Sequence, residues 1–319
     1  MAIKVRDYEV RMARTRDERK QVRQLRYDVF VEEEGATPTE DQRALREEYD
    51  AYDRHADYLI VLHAGRVVGT YRIITRAGAE KMGGFYTENE FDISKIKKYR
   101  GNIVEMSRAC VAREYRENAL VMRLLWAGLG EYVVRHKVMV LFGVASWAGK
   151  NPVASAQAIS YLYYNHLSPS NLRARVLSEK FAEGANPKMS RMNILPEVFV
   201  DKDMAFKEMT PLVKGYLRLG ATFGRGVFID LPFNSYDVFV MVQTKNIAPA
   251  YQKHFLGREN ALDGWDDEQQ RTAIRTIGKI VSFPVTGPLK MMGAFIGFML
   301  REDADDVEYR DDSADTTEE

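Results

Sequence analysis

The stretch IVEMSRACVA at 103–112 limits the folds open to this chain more than any other. Its apolar residues alternate as in a strand that belongs in a core, yet Glu105 and Arg108 lie within it. A charge left dry and unpaired costs several kcal/mol. Either the strand runs at a surface, or its charges face a cleft or a partner. Strict alternation puts Ile103, Glu105, Ser107, Ala109 and Val111 on one face, and Val104, Met106, Arg108 and Cys110 on the other. Glu105 and Arg108 then point apart unless a β-bulge intervenes, and bulges are common beside active sites. A bulge or splay would also free backbone N–H groups, the donors that an oxyanion requires. The alternative is that each charge pairs with one on a neighbouring strand, and pattern alone leaves both open.

The segments around this strand set the fold class. YEVRMAR (8–14) alternates as a strand. Thr15 and Glu18 form a capping box, and Val22, Leu25, Val29 and Phe30 follow at helical spacing, so 16–32 is expected to be an amphipathic helix. Residues 32–42 read as a loop. DYLIVLHAGRVVGTYRIIT (57–75) reads as two strands about an Ala64-Gly65 turn. GGFYTENEF is expected as a surface loop, 119–136 as a long helix capped by Asn118, and 138–146 as an apolar strand. Residues 150–200 read as a mostly helical insertion, followed by a short helix at 211–220 and strands at 227–230 and 235–243. The order predicts an α/β fold, a mixed central sheet flanked by helices. Residues 1–256 form its domain, and 257–300 a C-terminal extension whose apolar run is broken by Pro284, Pro288 and Lys290. That extension is too interrupted to span a bilayer and suits a membrane interface or a strap on the domain surface.

Charge adds a constraint on partners. The overall charge is zero, but residues 301–319 hold ten acidic and two basic residues. The remainder carries 44 basic against 36 acidic residues, a net of +8, so a basic body precedes an acidic, disordered tail. Such a body suits an acidic partner: a carrier protein, an anionic lipid surface or nucleic acid. A lone cysteine, Cys110, permits no internal disulfide, and the first twenty residues hold no signal-peptide core, so a cytoplasmic location is expected.

Several chemistries are absent from the sequence. It has no phosphate-binding G-x-x-x-x-G-K-[ST] or G-x-G-x-x-G, no H-E-x-x-H or cysteine cluster for zinc, no G-x-S-x-G and no H-x-x-x-x-D pair. What remains is polar residues on strands and turns: Arg26, Asp50, Asp53, His55 and Arg72 besides Glu105 and Arg108. REYREN after the strand enters a helix start, where N–H groups favour a phosphate, and Arg113, Arg116 and Arg123 add charge.

The order R-Y-x-V-F (26–30), Y-D (49–50), V-G-T-Y-R-I (68–73) and E-M-S-R-x-x-V (105–111) resembles the N-acyltransferase branch of the GNAT superfamily, which holds acyl-homoserine-lactone and N-acyl amino acid synthases. GGFYTENEFDIS (83–94), LFGVASWAGKNP (141–152), AISYLYYNH (158–166), PLVKGYLRLGA (211–221) and FNSYDVFVMV (233–242) narrow the resemblance to the bacterial L-ornithine Nα-acyltransferases, over roughly residues 8–256. The resemblance implies a GNAT-like fold and no bound cofactor. It implies transfer of a long-chain (3-hydroxy)acyl group from the phosphopantetheine thioester of acyl carrier protein to ornithine, at the inner face of the cytoplasmic membrane. REYREN departs from the usual glycine-rich phosphate loop, which fits a single phosphopantetheine phosphate better than a pyrophosphate. On this basis Glu105, Arg108 and Asp50 are the catalytic candidates, with Glu105 as base or amine positioner. Arg26, Asp53, Arg72 and Ser107 would order the cleft or hold the acceptor. Arg113, Arg116, Asn118 and Arg123 would meet the phosphopantetheine and the acidic carrier. Two other readings stay open: a sister enzyme acylating glycine, lysine or glutamine, and a non-catalytic lipid-binding protein at the membrane surface.

Overall fold

A computed structural model describes residues 2–117, 120–177 and 189–247. Asn118, the C-terminal extension and the acidic tail lie outside the described residues. The chain opens with β1 (Ile3–Val5), β2 (Tyr8–Met12) and α1 (Arg16–Arg26). Helix α1 begins at the Thr15–Glu18 capping box and buries Val22 and Leu25. It continues to Glu33 in the wider π winding, so the expected helix has the right extent but changes pitch at Tyr27. After the short α2 (Glu40–Leu45) come β3 (Asp57–His63) and β4 (Arg66–Thr75). They are joined at Ala64-Gly65, both at positive φ. Then follow α3 (Arg76–Met82), β5 (Phe91–Asp92), α4 (Ser94–Lys97), β6 (Asn102–Val111), α5 (Leu120–Arg135) and β7 (Val138–Ala148). Helix α6 (Ala156–Asn165) and the two-residue strands β8 (Arg175–Val176) and β9 (Met189–Ser190) lead to α7 (Lys202–Glu208), α8 (Pro211–Arg218), β10 (Thr222–Asp230) and β11 (Ser235–Gln243).

The strands form one path, β1-β2-β3-β4-β6-β7-β11-β10-β8-β5, with β9 on β10. Two pairings are parallel, β6 with β7 and β10 with β8. A parallel neighbour needs a crossover, and α5 supplies it between β6 and β7. On one sheet face Val104 and Met106 pack in one core with Leu124 and Val133 of α5, and Trp147 and Val238 in the next with Ile159 of α6 and Val213 of α8. The opposite face carries Ile74, Ile103, Phe142 and Phe239 against Phe85, Phe91 and Ile96, and Tyr58, Ile60 and Cys110 against α1. Each large aliphatic chain removed from water in this way contributes ~1.5–3 kcal/mol.

Two irregularities open the sheet at its centre. Between β4 and β6 the register runs from Thr70↔Cys110 to Arg72↔Ser107, one residue more on β6 than on β4. The extra residue is a bulge at Arg108, whose φ of 54° is left-handed. The bulge inverts the alternation: Val104 and Met106 share a core with Val111, and Cys110 lies on the face of Glu105 and Ser107. The simple alternation expected for this strand therefore holds only up to Ser107. Beyond that point β6 also leaves β7, for their ladder ends at Met106↔Gly143 while β7 stays on β11 to Ala148. A Cβ at Gly143 would lie 2.2 Å from the Met106 carbonyl oxygen, so glycine lets the strands touch at the last rung before they part. Gly143→Ala is expected to cost ~1–3 kcal/mol, read as a lower urea midpoint at unchanged slope.

Candidate functional site

The turn Ala51–Arg54 sets the first part of the site. Asp50 caps it, accepting from Tyr52 N at 2.9 Å, and Asp50 N donates back to Asp53 Oδ2 at 3.1 Å. The reciprocal cap aims both carboxylates at the sheet, where Arg72 projects from β4 and Arg26 from the last turn of α1. Both arginines are fully buried. Arg26 Nη1 reaches Asp53 at 2.9 Å, and its Nε pairs with Glu48. Arg72 Nη1 reaches Asp50 at 2.6 Å and Asp53 at 3.0 Å, and its Nε donates to Ser107 Oγ at 2.9 Å. Arg108, turned to this face by the bulge, pairs with Glu48 and Asp50, each at 3.3 Å. The contacts close a ring, Arg26–Glu48–Arg108–Asp50–Arg72–Asp53, of three cations and three anions. The sum of charge is zero, which is what lets so many charges be buried together. Burial would raise the Glu48 and Asp53 carboxyls, but Arg26 with Arg108 holds Glu48 below the usual range, and Arg26 with Arg72 holds Asp53 there.

Glu105 lies on the same face, fully buried, and meets the Phe85–Glu90 turn. Its oxygens accept from Tyr86 N at 2.8 Å, from Thr87 N at 2.7 Å and from the Thr87 hydroxyl. A carboxylate offers about four acceptor positions, so one stays open. Burial raises the Glu105 carboxyl above its ordinary value, though the Thr87 hydroxyl and Arg72 oppose the rise. The segment GGFYTENEF, expected at the surface, is partly held inside, with Phe85, Thr87, Glu90 and Phe91 buried and Gly83 and Asn89 exposed. The carboxylate of Glu105 takes up the free N–H groups of that turn, which is why a polar-looking segment can be buried.

The second part of the site is acidic and was not legible as a unit. Glu90, Asp230 and Asp237 are buried, with carboxylate oxygens within 4.8 Å of one another. Among the described residues they are the one group of three or more acids, histidines or cysteines that could surround a cation. Burial, then Asp230, pushes the Asp237 carboxyl up to about 7, and burial, then Asp237, pushes Glu90 well above its usual range. Arg108 links the two parts. Its guanidinium carbon lies 4.6 Å from the Tyr86 ring centre and 4.2 Å from that of Phe233.

On the other sheet face an apolar crevice starts at the gap, at Met106 and Gly143, and runs past Tyr71, Trp126, Val133 and Tyr216. The Tyr71 and Tyr216 hydroxyls are hydrogen-bonded to each other within it.

Of the residues expected from sequence, Arg26, Asp50, Asp53, Arg72, Ser107 and Arg108 come together in the ring, and Glu105 is their neighbour. Arg113, Arg116 and Arg123 lie apart, exposed after β6 and on α5. Arg116 there pairs with Glu33 at 2.8 Å. His55 is exposed and joins neither group. Cys110 is core, its thiol pushed up by burial. Glu48, Tyr86, Thr87, Glu90, Asp230 and Asp237 were missed, although Asp237 in SYDVFVMVQ carries the same signal as Glu105, a charge inside an apolar strand.

Comparison with known proteins gives the family. A profile described as "Acetyltransferase (GNAT) domain" matches residues 25–127, which carry the ring, Glu105 and the start of α5. The protein named "L-ornithine N(alpha)-acyltransferase" of Rhodobacter capsulatus is 33% identical over 258 residues, 79% of this chain and 95% of that one. Its namesake of Agrobacterium fabrum is 36% identical over 266 residues, 80% and 87%. This chain belongs to the L-ornithine Nα-acyltransferase family. Its mixed sheet flanked by helices is the GNAT-like fold expected of an acyltransferase in that family. Solved structures with a related trace include the acyl-homoserine-lactone synthase LasI, with a TM-score of 0.40 and 14% identity over 79% of this chain and 96% of that one. Another is FeeM, an N-acyl amino acid synthase from uncultured soil microbes, with a TM-score of 0.37 and 10% identity over 75% and 91%. At these scores the family assignment rests on the sequence relatives.

Two outcomes follow for this family member. Arg26→Met strands Glu48 and Asp53 beside one fewer cation and is expected to cost ~3–5 kcal/mol, read as a fall in the urea midpoint. Asp237 titrates higher folded than unfolded, so its contribution to stability falls as pH rises from about 4 towards about 7 and is then constant. The stability gained by Asp237→Asn over the parent protein should therefore grow between pH 5 and 7 and level off by pH 8. A gain that is flat across that range would contradict the assignment.

Proposed function

We propose that the protein transfers a long-chain (3-hydroxy)acyl group from the phosphopantetheine thioester of acyl carrier protein to the α-amine of L-ornithine. One observation carries this reading: the gap beyond Met106 and Gly143 has an apolar crevice on one side and a charged, buried wall on the other. An acyl chain needs the first and an amino acid the second, and the two can meet only where the sheet is open. The family names of the relatives supply the acceptor.

The chemistry is attack of a primary amine on a thioester carbonyl. The amine arrives as an ammonium and must give up a proton. Glu105, with a raised carboxyl and one acceptor position open, takes it directly or through a water. As the C–N bond forms, negative charge develops on the carbonyl oxygen. Backbone N–H groups of β6, released from β7 beyond Met106, are suited to receive it, and such a donor is worth ~3–4 kcal/mol. The C–S bond then breaks, the second proton lost by the nitrogen passes to the sulfur, and the thiol leaves on the carrier, with the proton on Glu105 released to solvent. Arg72 Nη2 is buried with no hydrogen-bond acceptor among the described residues, and the acceptor's carboxylate would supply one. Asp50, Asp53, Arg26 and Ser107 hold Arg72 and Arg108 in place for this. Arg113, Arg116 and Arg123 form a basic approach for the phosphopantetheine and its acidic carrier.

Among the described residues no helix is long and apolar enough to cross a membrane. We place the enzyme as a peripheral protein at the cytoplasmic membrane, with the apolar run in 280–300 as the contact.

A product assay tests the reading. Purified protein is given 3-hydroxyacyl carrier protein and a mixture of amino acids, and products are read by mass spectrometry. N-acyl-ornithine is the expected main product. A different N-acyl amino acid would keep the mechanism and change the acceptor. No product from a folded sample, with carrier protein or coenzyme A donors, would favour a non-catalytic lipid-binding protein.

A further inference from the structure

Three acids, Glu90, Asp230 and Asp237, take no part in the mechanism above, although they share its sheet face. Sequence separates them widely: a turn before β5, the end of β10 and the start of β11 bring them together. Asp230 Oδ1 accepts from Phe233 N at 3.1 Å, and Asp237 Oδ1 from the Ser235 hydroxyl at 3.1 Å. Glu90 is different. It is almost wholly buried, and its Oε2 has no hydrogen-bond partner among the described residues. A buried carboxylate oxygen with nothing to accept from is costly, and two more carboxylates beside it add to the cost. No ion pair among the described residues reaches any of the three, since Arg108 is committed to Glu48 and Asp50. Such a cluster needs a proton or a cation from outside.

The geometry points to the far ammonium of a diamino acid acceptor: we propose that Glu90, Asp230 and Asp237 receive the side-chain amine of the amino acid whose α-amine is acylated, and so select a diamine. This rests on the reading that the acceptor is an amino acid. Placement supports it. Asp237 is paired with Ser146, three residues beyond Gly143 along β7, about 10 Å past the point where β6 leaves. An acceptor with its α-amine at the gap and its carboxylate on Arg72 has its side chain running along this wall. The ligand chemistry also fits. Tyr86 and Phe233 hold the Arg108 guanidinium between their rings, and Phe233 N donates to Asp230, so the wall beside the cluster is partly aromatic. An ammonium has three donors, one for each carboxylate. A divalent ion would want six or more oxygens, and it would stand beside the Arg108 guanidinium, which is a poor neighbour for two extra charges. Burial raises both Glu90 and Asp237, and a bound ammonium would let them ionise.

The test compares two acceptors of one length: ornithine, and 2-aminopentanoate, which lacks the far amine. The full chain is assayed with 3-hydroxyacyl carrier protein, as are Asp237→Asn and Glu90→Gln, two near-isosteric changes that relieve buried charge. The parent protein is expected to prefer ornithine in kcat/KM by roughly 100-fold or more. Each variant should cut that ratio at least roughly tenfold, mainly through a higher KM for ornithine. Equal losses on both acceptors, with the ratio kept, would overturn the inference and leave the acyl-transfer reading standing. Loss of ornithine acylation in EDTA with recovery on adding magnesium or calcium would overturn it in favour of a metal. A parent protein that acylates no amino acid would fail on the acyl-transfer reading itself.

Discussion

The ring Arg26–Glu48–Arg108–Asp50–Arg72–Asp53 is the interaction on which the rest of the site depends. It gathers α1, the 51–54 turn, β4 and β6 around one buried point. Each ion has two partners, so no single contact has to outweigh the desolvation of its own pair. Its worth is positional more than energetic. Six side chains drawn from four separate segments, Arg26, Glu48 and Arg72 among them buried, can hardly be mutually paired and neutral in more than one arrangement. The bulge at Arg108 becomes intelligible in that light. A left-handed, non-glycine residue costs on the order of 1–3 kcal/mol, and here the cost is offset by closing the ring.

The bulge and the ring together explain the open sheet. Arg108 must turn to the face of Arg72, and in doing so it takes β6 out of line with β7. Gly143 allows the last close rung, and Glu105 ties down the turn that covers the gap on the acidic side. The sheet is thereby opened between β6 and β7, with an apolar floor on one face and ions on the other. Neither face alone would serve for joining an acyl chain to an amino acid. In the proposed reaction the interruption puts the two within reach of each other.

How much of this was legible in the sequence differs between elements, for physical reasons. Strands with period-two apolar alternation and capped helices were read close to their bounds, because burial and capping act locally. Charges inside apolar strands marked Arg72, Glu105 and Arg108, since such charges must be answered somewhere. Asp50 and Asp53 were visible through their spacing before a strand. The partners that answer them were not visible, because Glu48 sits in an acidic run resembling any solvated surface. The 85–90 turn was misread for the same reason. Its polarity suggested water, whereas Glu105 satisfies its N–H groups from inside. Asp230 and Asp237 could have been noticed singly, but only the pairing of β11 with β7 and the return of the 85–90 turn bring them to Glu90.

The two charged groups on this face obey opposite rules, and the contrast says which one waits for a cation. In the ring, arginines hold Glu48 and Asp53 below their ordinary range, so these two carboxylates are ionised and need no added cation. In the cluster, burial and mutual repulsion push Glu90 and Asp237 the other way, and one oxygen of Glu90 is left with no donor. A fold that can neutralise six charges a short distance away has had the means to neutralise three more with a lysine or arginine. That it leaves them unanswered beside an opening is better explained by a cation that comes and goes than by a defect in packing. Arg108, between Tyr86 and Phe233, stands at the boundary of the two. It belongs to the ring by its ion pairs and to the cluster by its field, so a cation entering the cluster acts on the same guanidinium that holds the bulge open.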